Sequence, residues 1–341
     1  MWPRRTTRRP PMVEDRLSPE QIDVLLTAAV AAPSMHNTQP WRFEVSGHVI
    51  DVFLDSSRAL PAEDPSGRAL RIAAGAATFN LRCAAASMGY HTWLGLMPCP
   101  EEEPDLVARI VTEPAGVPDQ ELSVLYAEIP RRHTSRAPVQ DESITQDLRI
   151  ALIQEAFKEK AELTWLGDAQ TERILDLVRE ADLREIGDWH RSAERARWVG
   201  RRQGADGIPS AALGPRSATY PGVVRDLATA PLDRSRPSAA FEQHPSIAVL
   251  STAGDEPADH VAAGLALERV LLVATRRGAT ASFLNQPLEH DDLRRAVQRT
   301  IQGTTRKSGF AHMVIRFGRG RAAATTGRRP TQDFIDNPEE S

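Results

Sequence analysis

Residues 73–89, AAGAATFNLRCAAASMG, and residues 262–278, AAGLALERVLLVATRRG, open on the same triplet and close on a glycine at the same distance from the first one. The two stretches are offset by 189 positions, and the prolines that follow, Pro98 and Pro287, keep that offset. A second match lies upstream: RRTTRRPP from Arg4 and RRHTSRAP from Arg131 share RRxTxRxP at an offset of 127. Self-similarity of this kind marks a repeated structural unit. Each basic motif precedes an amphipathic helix. In the first, Ser18 serves as N-cap with Gln21 as its capping-box partner, Pro19 opens the helix, and Ile22, Leu25, Leu26 and Ala29 share a face. In the second the apolar positions are Ile144, Leu148, Ile150, Ala151 and Leu152.

The two offsets differ by 62, so the second unit carries that many extra residues before its long central helix. They include a polar, charged helix over about 168–198 and a Gly- and Pro-rich segment from about Gly200 to Ala240, long enough to act as a lid or binding loop. In the first unit the same place holds APSMHNTQPW, residues 32–41, followed by a hairpin of RFEV and VIDVFL around Ser46, Gly47 and His48. Helix, strands, long helix, strand is the order in each unit, which predicts an α+β fold. The expected boundaries are 1–130 for the first copy and 131–335 for the second, with the insertion at about 168–240.

A chain of 341 residues with 41% apolar content can fill a full core. Its net charge of −4, and acidic stretches at 101–103 and at the C-terminus, argue against a nucleic-acid surface. No apolar run approaches a membrane span and no signal-peptide pattern follows the first arginines, so a cytoplasmic protein with no membrane partner is expected. Cys83 and Cys99 lack metal-type or paired spacing, and neither a disulfide nor a metal site is expected. No GxGxxG or GxxxxGK[ST] sequence is present, which leaves Rossmann and P-loop nucleotide sites without support.

APSMHNTQPW, RRHTSR at 131–136, NQPLEHDDLR at 285–294 and GRRPTQDFI at 327–335 together resemble the flavin-dependent nitroreductases, and within them the double-length, Acg-like branch of actinobacteria. Ordinary members are homodimers with FMN sites at the subunit interface. The resemblance implies a nitroreductase-like fold whose two tandem copies form that dimer inside one chain, a monomer as internal pseudo-dimer, with further dimerisation open. A phosphate dianion calls for arginine forks and hydroxyls, which Arg131, Arg132, Thr134 and Arg136 offer, with Arg328 and Arg329 as further partners. Pro33, Ser34, Asn37 and Gln39 match the family loop that contacts the ribityl chain and the pyrimidine edge. Gln286, Pro287, Leu288 and Glu289 match the turn facing flavin N5 and O4, with His290 standing where the family has a glycine.

The reciprocal site would pair Arg4, Arg5, Thr7 and Arg9 with a second-copy loop, but GIPSAALGP at 207–215 has no matching Asn or Gln, so one FMN per chain is expected. Trp189 and Trp198 flank the Gly- and Pro-rich loop, as packing residues or facing the flavin. The implied activity is hydride transfer from NAD(P)H through flavin to a small acceptor, a nitroaromatic or quinone, with no side chain required as acid or base. A flavin-storing protein under a fixed cover is the alternative.

Overall fold

The computed structural model describes residues 16–201, 204–218, 225–227, 236–302, 309–320 and 324–335. Helix α1 (Pro19–Val30) starts at the expected capping box, with Ser18 N–H donating to Gln21 Oε1 at 2.8 Å and Gln21 N–H to Ser18 Oγ at 3.3 Å. The hairpin β1 (Trp41–Ser46) and β2 (Val49–Leu54) follows as expected. After it come helix α2 (Arg68–Ser87), strands β3 (Tyr90–Leu96) and β4 (Leu106–Pro114), and a short helix α3 (Gln120–Tyr126). The second half opens with α4 (Gln146–Lys158) and β5 (Ala161–Trp165).

Two features of this half depart from the sequence reading. The buried stripe of α4 is Leu148, Leu152 and Ala156, spaced by four; Ile150 faces outward at 45% exposure, and Ile144 precedes the helix. The charged stretch is two helices, α5 (Asp168–Glu185) and α6 (Trp189–Ala196), because Gly187 at φ +94° breaks the run and Asp188 caps a new start.

Short parallel pairs then join β6 (Val199–Arg201) to β7 (Ile208–Pro209) and β8 (Arg216–Ser217) to β9 (Ser238–Ala239). The remaining elements are β10 (Ser246–Thr252), α7 (Pro257–Arg276), β11 (Thr280–Phe283), a 3₁₀ turn at Gln286–Glu289, α8 (Asp291–Gln302) and β12 (Phe310–Gly318).

The two four-stranded sheets are antiparallel throughout and have matching orders, β1-β2-β4-β3 and β5-β10-β12-β11. Each carries a register shift in its central pair, at Val52/Phe53 and at Leu250/Ser251. Between the sheets α2 and α7 cross at two glycines. A Cβ on Gly75 would lie 2.1 Å from the Val261 carbonyl oxygen, and one on Gly264 would lie 2.1 Å from that of Ile72. Each glycine thus meets the carbonyl three residues before the other, and backbone contact this close admits no side chain. The core follows: Val261, Leu265 and Leu272 of α7 pack into the first half's cluster, and Ile72 of α2 into the second half's.

The last described residues cross back to the first half. Phe334 is buried with its ring 6.5 Å from both Trp41 and Phe43, and Ile335 forms a parallel bridge to Phe43.

Candidate functional site

A cavity of about 440 Å³ lies where the loop after α1, the start of α2, the end of β11 and the 3₁₀ turn meet. That size suits a cofactor or small ligand. Pro33 and Ser34 line it, as do Thr134, Arg136, Leu288 and Glu289. Its apolar walls come from Ala69, Ile72, Leu267, Phe283 and Met313.

The basic motif reaches it through an extended segment: Thr134 bridges to Ala281 and Ser135 N–H donates to the Ala281 carbonyl at 2.8 Å. Side chains two apart share a face of extended backbone, which sends Thr134 and Arg136 to the cavity together. Arg136 is the decisive group. Among the described residues its one hydrogen bond goes from Nη1 to the Ala212 carbonyl at 3.2 Å, with no carboxylate among its partners there. Burial, with a smaller effect of Arg225, lowers its pKa to about 10, so the guanidinium stays charged at neutral pH. Arg68, at the start of α2, is a second such group. It is buried, donates to the carbonyls of His312 (2.7 Å) and Leu288 (3.1 Å), and is lowered by burial to about 10. A small adjoining cavity bordered by Ser34, Arg132, Thr134, Arg136, Thr326 and Arg328 extends the cationic end.

Other expected contacts have different work. Asn37 Nδ2 donates to the carbonyls of Gly207 and Gly327, both at 3.0 Å. Gln39 donates to the Ala205 carbonyl at 2.8 Å and accepts the Arg329 N–H at 3.0 Å. These bonds hold a loop in which His36, Asn37 and Gln39 all have positive φ, at +51°, +57° and +53°. Of this loop's expected contacts, Ser34 and Pro33 face the main cavity, while the two carboxamides fasten the loop to the second half.

Arg132 donates to the Ala31 carbonyl at 3.0 Å and pairs with buried Glu268 at 3.3 Å. Arg328 donates to the carbonyls of Val30, Ala31 and Ala32, so both cations cap the negative end of α1. Arg131 has a side chain that is 66% exposed and paired with Glu128, and it is among the lining residues of neither cavity. Arg329 packs over the Phe334 ring and bonds Asp333. Gln286 donates to Asp182 at 3.3 Å, and Pro287 is buried beneath the turn. His290 adopts extended φ of −124°, a conformation that requires no glycine. Trp189 is 68% exposed and Trp198 lies under Arg58, so neither lines the cavity. Arg4, Arg5, Thr7 and Arg9 lie outside the described residues.

Residues 3–51 match the family model described as Nitroreductase family. Rv3131 of Mycobacterium tuberculosis H37Rv, provisionally named an NAD(P)H nitroreductase, is 30% identical over 94% of this chain and 92% of its own. The chain belongs to the nitroreductase family. The provisionally named NAD(P)H nitroreductase acg of the same organism is 27% identical over 82% of this chain and 84% of its own, in keeping with the Acg-like branch. A solved structure of a provisionally named nitroreductase from Anabaena variabilis shares 11% identity with a TM-score of 0.49, covering 88% of each chain.

What sequence reasoning missed in this nitroreductase is the part that Glu63 and Arg225 play. Both line the cavity together with the expected Glu289 and with His36, which bonds Glu63. Burial opposes the Glu63 charge, yet His36, Arg225 and Arg195 hold the carboxyl well below the usual range. Burial pushes Glu289 up to about 7 against the pull of Arg225 and Arg191. Glu63 and Arg225 sit in none of the four motifs; only the fold brings them to His36 and Glu289. Among the described residues no helix is long and apolar enough to cross a membrane, and Cys83 and Cys99 are both free.

Proposed function

We propose that this chain is an FMN-dependent oxidoreductase that holds one flavin in the cavity and passes hydride from NAD(P)H to a small acceptor such as a nitroaromatic or quinone. Arg136 carries the reading: a half-buried, charged guanidinium with a backbone carbonyl as its hydrogen-bond partner is suited to an anion. Thr134 beside it supplies a hydroxyl, and Arg132 and Arg328 add positive potential at the same end. The donor set therefore fits a phosphate, and the apolar walls at Ile72, Leu267 and Phe283 fit a flat ring.

FMN, when bound, supplies the hydride chemistry. The chain's own residues bind and orient. Arg136 and Thr134 would hold the phosphate, Ser34 the polar chain, and Leu288 would pack against the ring system. Arg68 places positive charge on another wall, where it favours an electron-rich ligand. Ile208 and Leu227 narrow the cavity and keep water from it. We name no side chain as an obligate proton donor.

The same reading treats residues 1–130 and 131–335 as tandem nitroreductase-like copies forming an internal pseudo-dimer. Its supports are the matching strand orders and the reciprocal contacts of Gly75 and Gly264. Heat release of flavin from purified protein, counted against chain concentration, should give about one FMN per chain. Two, or none after reconstitution, would overturn the one-site reading.

A second reading, flavin storage under a fixed cover, is favoured by one observation: residues 225–227 put Arg225 and Leu227 on the cavity wall. Anaerobic NADPH or NADH should bleach the flavin within seconds if the protein turns over. If both fail while dithionite succeeds, the protein stores flavin.

A further inference from the structure

Three carboxylates converge beside the cavity from separate elements. Glu63 belongs to the loop before α2, Glu185 to the end of α5, and Glu289 to the 3₁₀ turn; one oxygen of each lies within 4.8 Å of the others. Buried carboxylates this close repel each other strongly unless cations intervene.

Two of the cations are part of the wall. Arg191 binds Glu289, and Arg195 binds Glu63 and, at 2.8 Å, Glu185. Both stand on α6, which is fastened to the Glu63 loop because the Glu194 carboxylate accepts the N–H groups of Ala62 (3.2 Å) and Glu63 (2.9 Å). The third cation arrives from elsewhere in the chain. Arg225 donates to both oxygens of Glu289, to Glu185 at 2.8 Å and to Glu63 at 3.4 Å. Its planar fork touches all three carboxylates at once, which an ammonium on a single stem does less well. Arg191 and Arg195 are held in place by α6, whereas Arg225 lies outside any described helix or strand.

We propose that Glu63, Glu185 and Glu289 form a preassembled guanidinium seat, filled in cis by Arg225, and that this contact holds residues 225–227 across the cavity. The seat itself does not depend on the flavin reading; the consequence for a bound flavin does. With Arg225 truncated, three carboxyl groups face two guanidiniums, His36 and the nearby Asp182; at a pH well above the value of about 7 to which Glu289 is raised, where all three are ionised, a small guanidinium ion from solution is the species that matches the vacated place. Sodium does not, since it lacks the hydrogen-bond donors.

The test uses full-length Arg225→Ala and guanidinium chloride at low millimolar concentration, far below the denaturing range. The variant's thermal midpoint should fall by several degrees and recover saturably with guanidinium, but not with equal sodium chloride or urea. The wild type should not respond, and Glu289→Gln added to Arg225→Ala should abolish the recovery. Flavin release from the holoprotein should be about tenfold faster in the variant and slow again with guanidinium. A wild-type midpoint in Arg225→Ala, or equal recovery with sodium chloride, would overturn the seat. If the protein binds no flavin, the midpoint measurement still decides the seat while the flavin reading fails separately. Should the alanine variant not fold, Arg225→Lys keeps the charge without the fork, and a midpoint equal to wild type would overturn the specificity for guanidinium.

Discussion

The two halves of the chain are alike at their centre and unlike at their outer ends. At the crossing of α2 and α7 Gly75 and Gly264 each meet the other helix's carbonyl oxygen and glycine Cα, and the sheets beyond them have the same order. Towards the cavity the likeness stops. The first half contributes a tightly bonded loop at 34–39, whereas the second contributes Arg136 and the inserted helices α5 and α6. Backbone-to-backbone packing at the centre leaves no room for side chains, whereas side-chain sites at the ends tolerate differences.

The largest effect should come from the centre. Gly264→Val would drive a branched side chain into the Ile72 carbonyl and cost about 3 kcal/mol or more. Urea denaturation or the yield of folded protein would read it. Gly75→Ala and Gly264→Ala should be similarly damaging, and tolerance at one position alone would break the claimed equivalence.

The next effect belongs to the asymmetric site. Arg136→Ala should weaken FMN binding by about 1.5–3 kcal/mol, roughly ten- to a hundredfold, as expected for a hydrogen bond to a charged group. Fluorescence titration of the apoprotein with FMN measures it. An unchanged affinity would move the anion end of the cavity elsewhere.

A pH experiment sharpens the opposite wall. Glu289 is raised to about 7 in the folded protein from an ordinary value of 4.5. Between those values the folded state holds a proton that the unfolded state releases, so this group's contribution to stability is greatest below pH 4.5 and is lost as pH rises through 7. The stability of wild type relative to Glu289→Gln should therefore decline over that window. A rising difference would show that the two arginines, and not burial, govern the carboxyl.

The smallest effect should be at Arg131. Exposed and paired with Glu128, it should change FMN affinity negligibly and stability by less than about 1 kcal/mol on truncation to Ala. A loss matching that of Arg136→Ala would restore it to the site.

Much of this arrangement was legible in the sequence. The capping box of α1, the hairpin at 41–54 and the long helices at 68–87 and 257–276 follow from local periodicity and cap chemistry. In the basic motif, by contrast, the residue types alone do not say which side chains reach the cavity. Arg131 and Arg136 look equivalent as letters, but the cavity wall is set by an extended segment lying beside β11. Asn37 and Gln39 read as ligand contacts because carboxamides bond anything. Nothing local says that Gly207, Gly327 and Ala205, far along the chain, will take those bonds. The Glu63, Glu185 and Glu289 cluster was invisible for the same reason.

The return of residues 324–335 to the first half sets a timetable for biosynthesis. Phe334 completes the packing of Trp41 and Phe43, and Arg328 covers the last carbonyls of α1. A ribosome that has made the whole first half still holds a chain whose earliest strand has an open flank. That flank closes only when the final segment clears the exit tunnel. Premature termination anywhere upstream of Arg328 therefore leaves exposed aromatic surface at the opposite end of the sequence, the kind of surface that chaperones and proteases recognise.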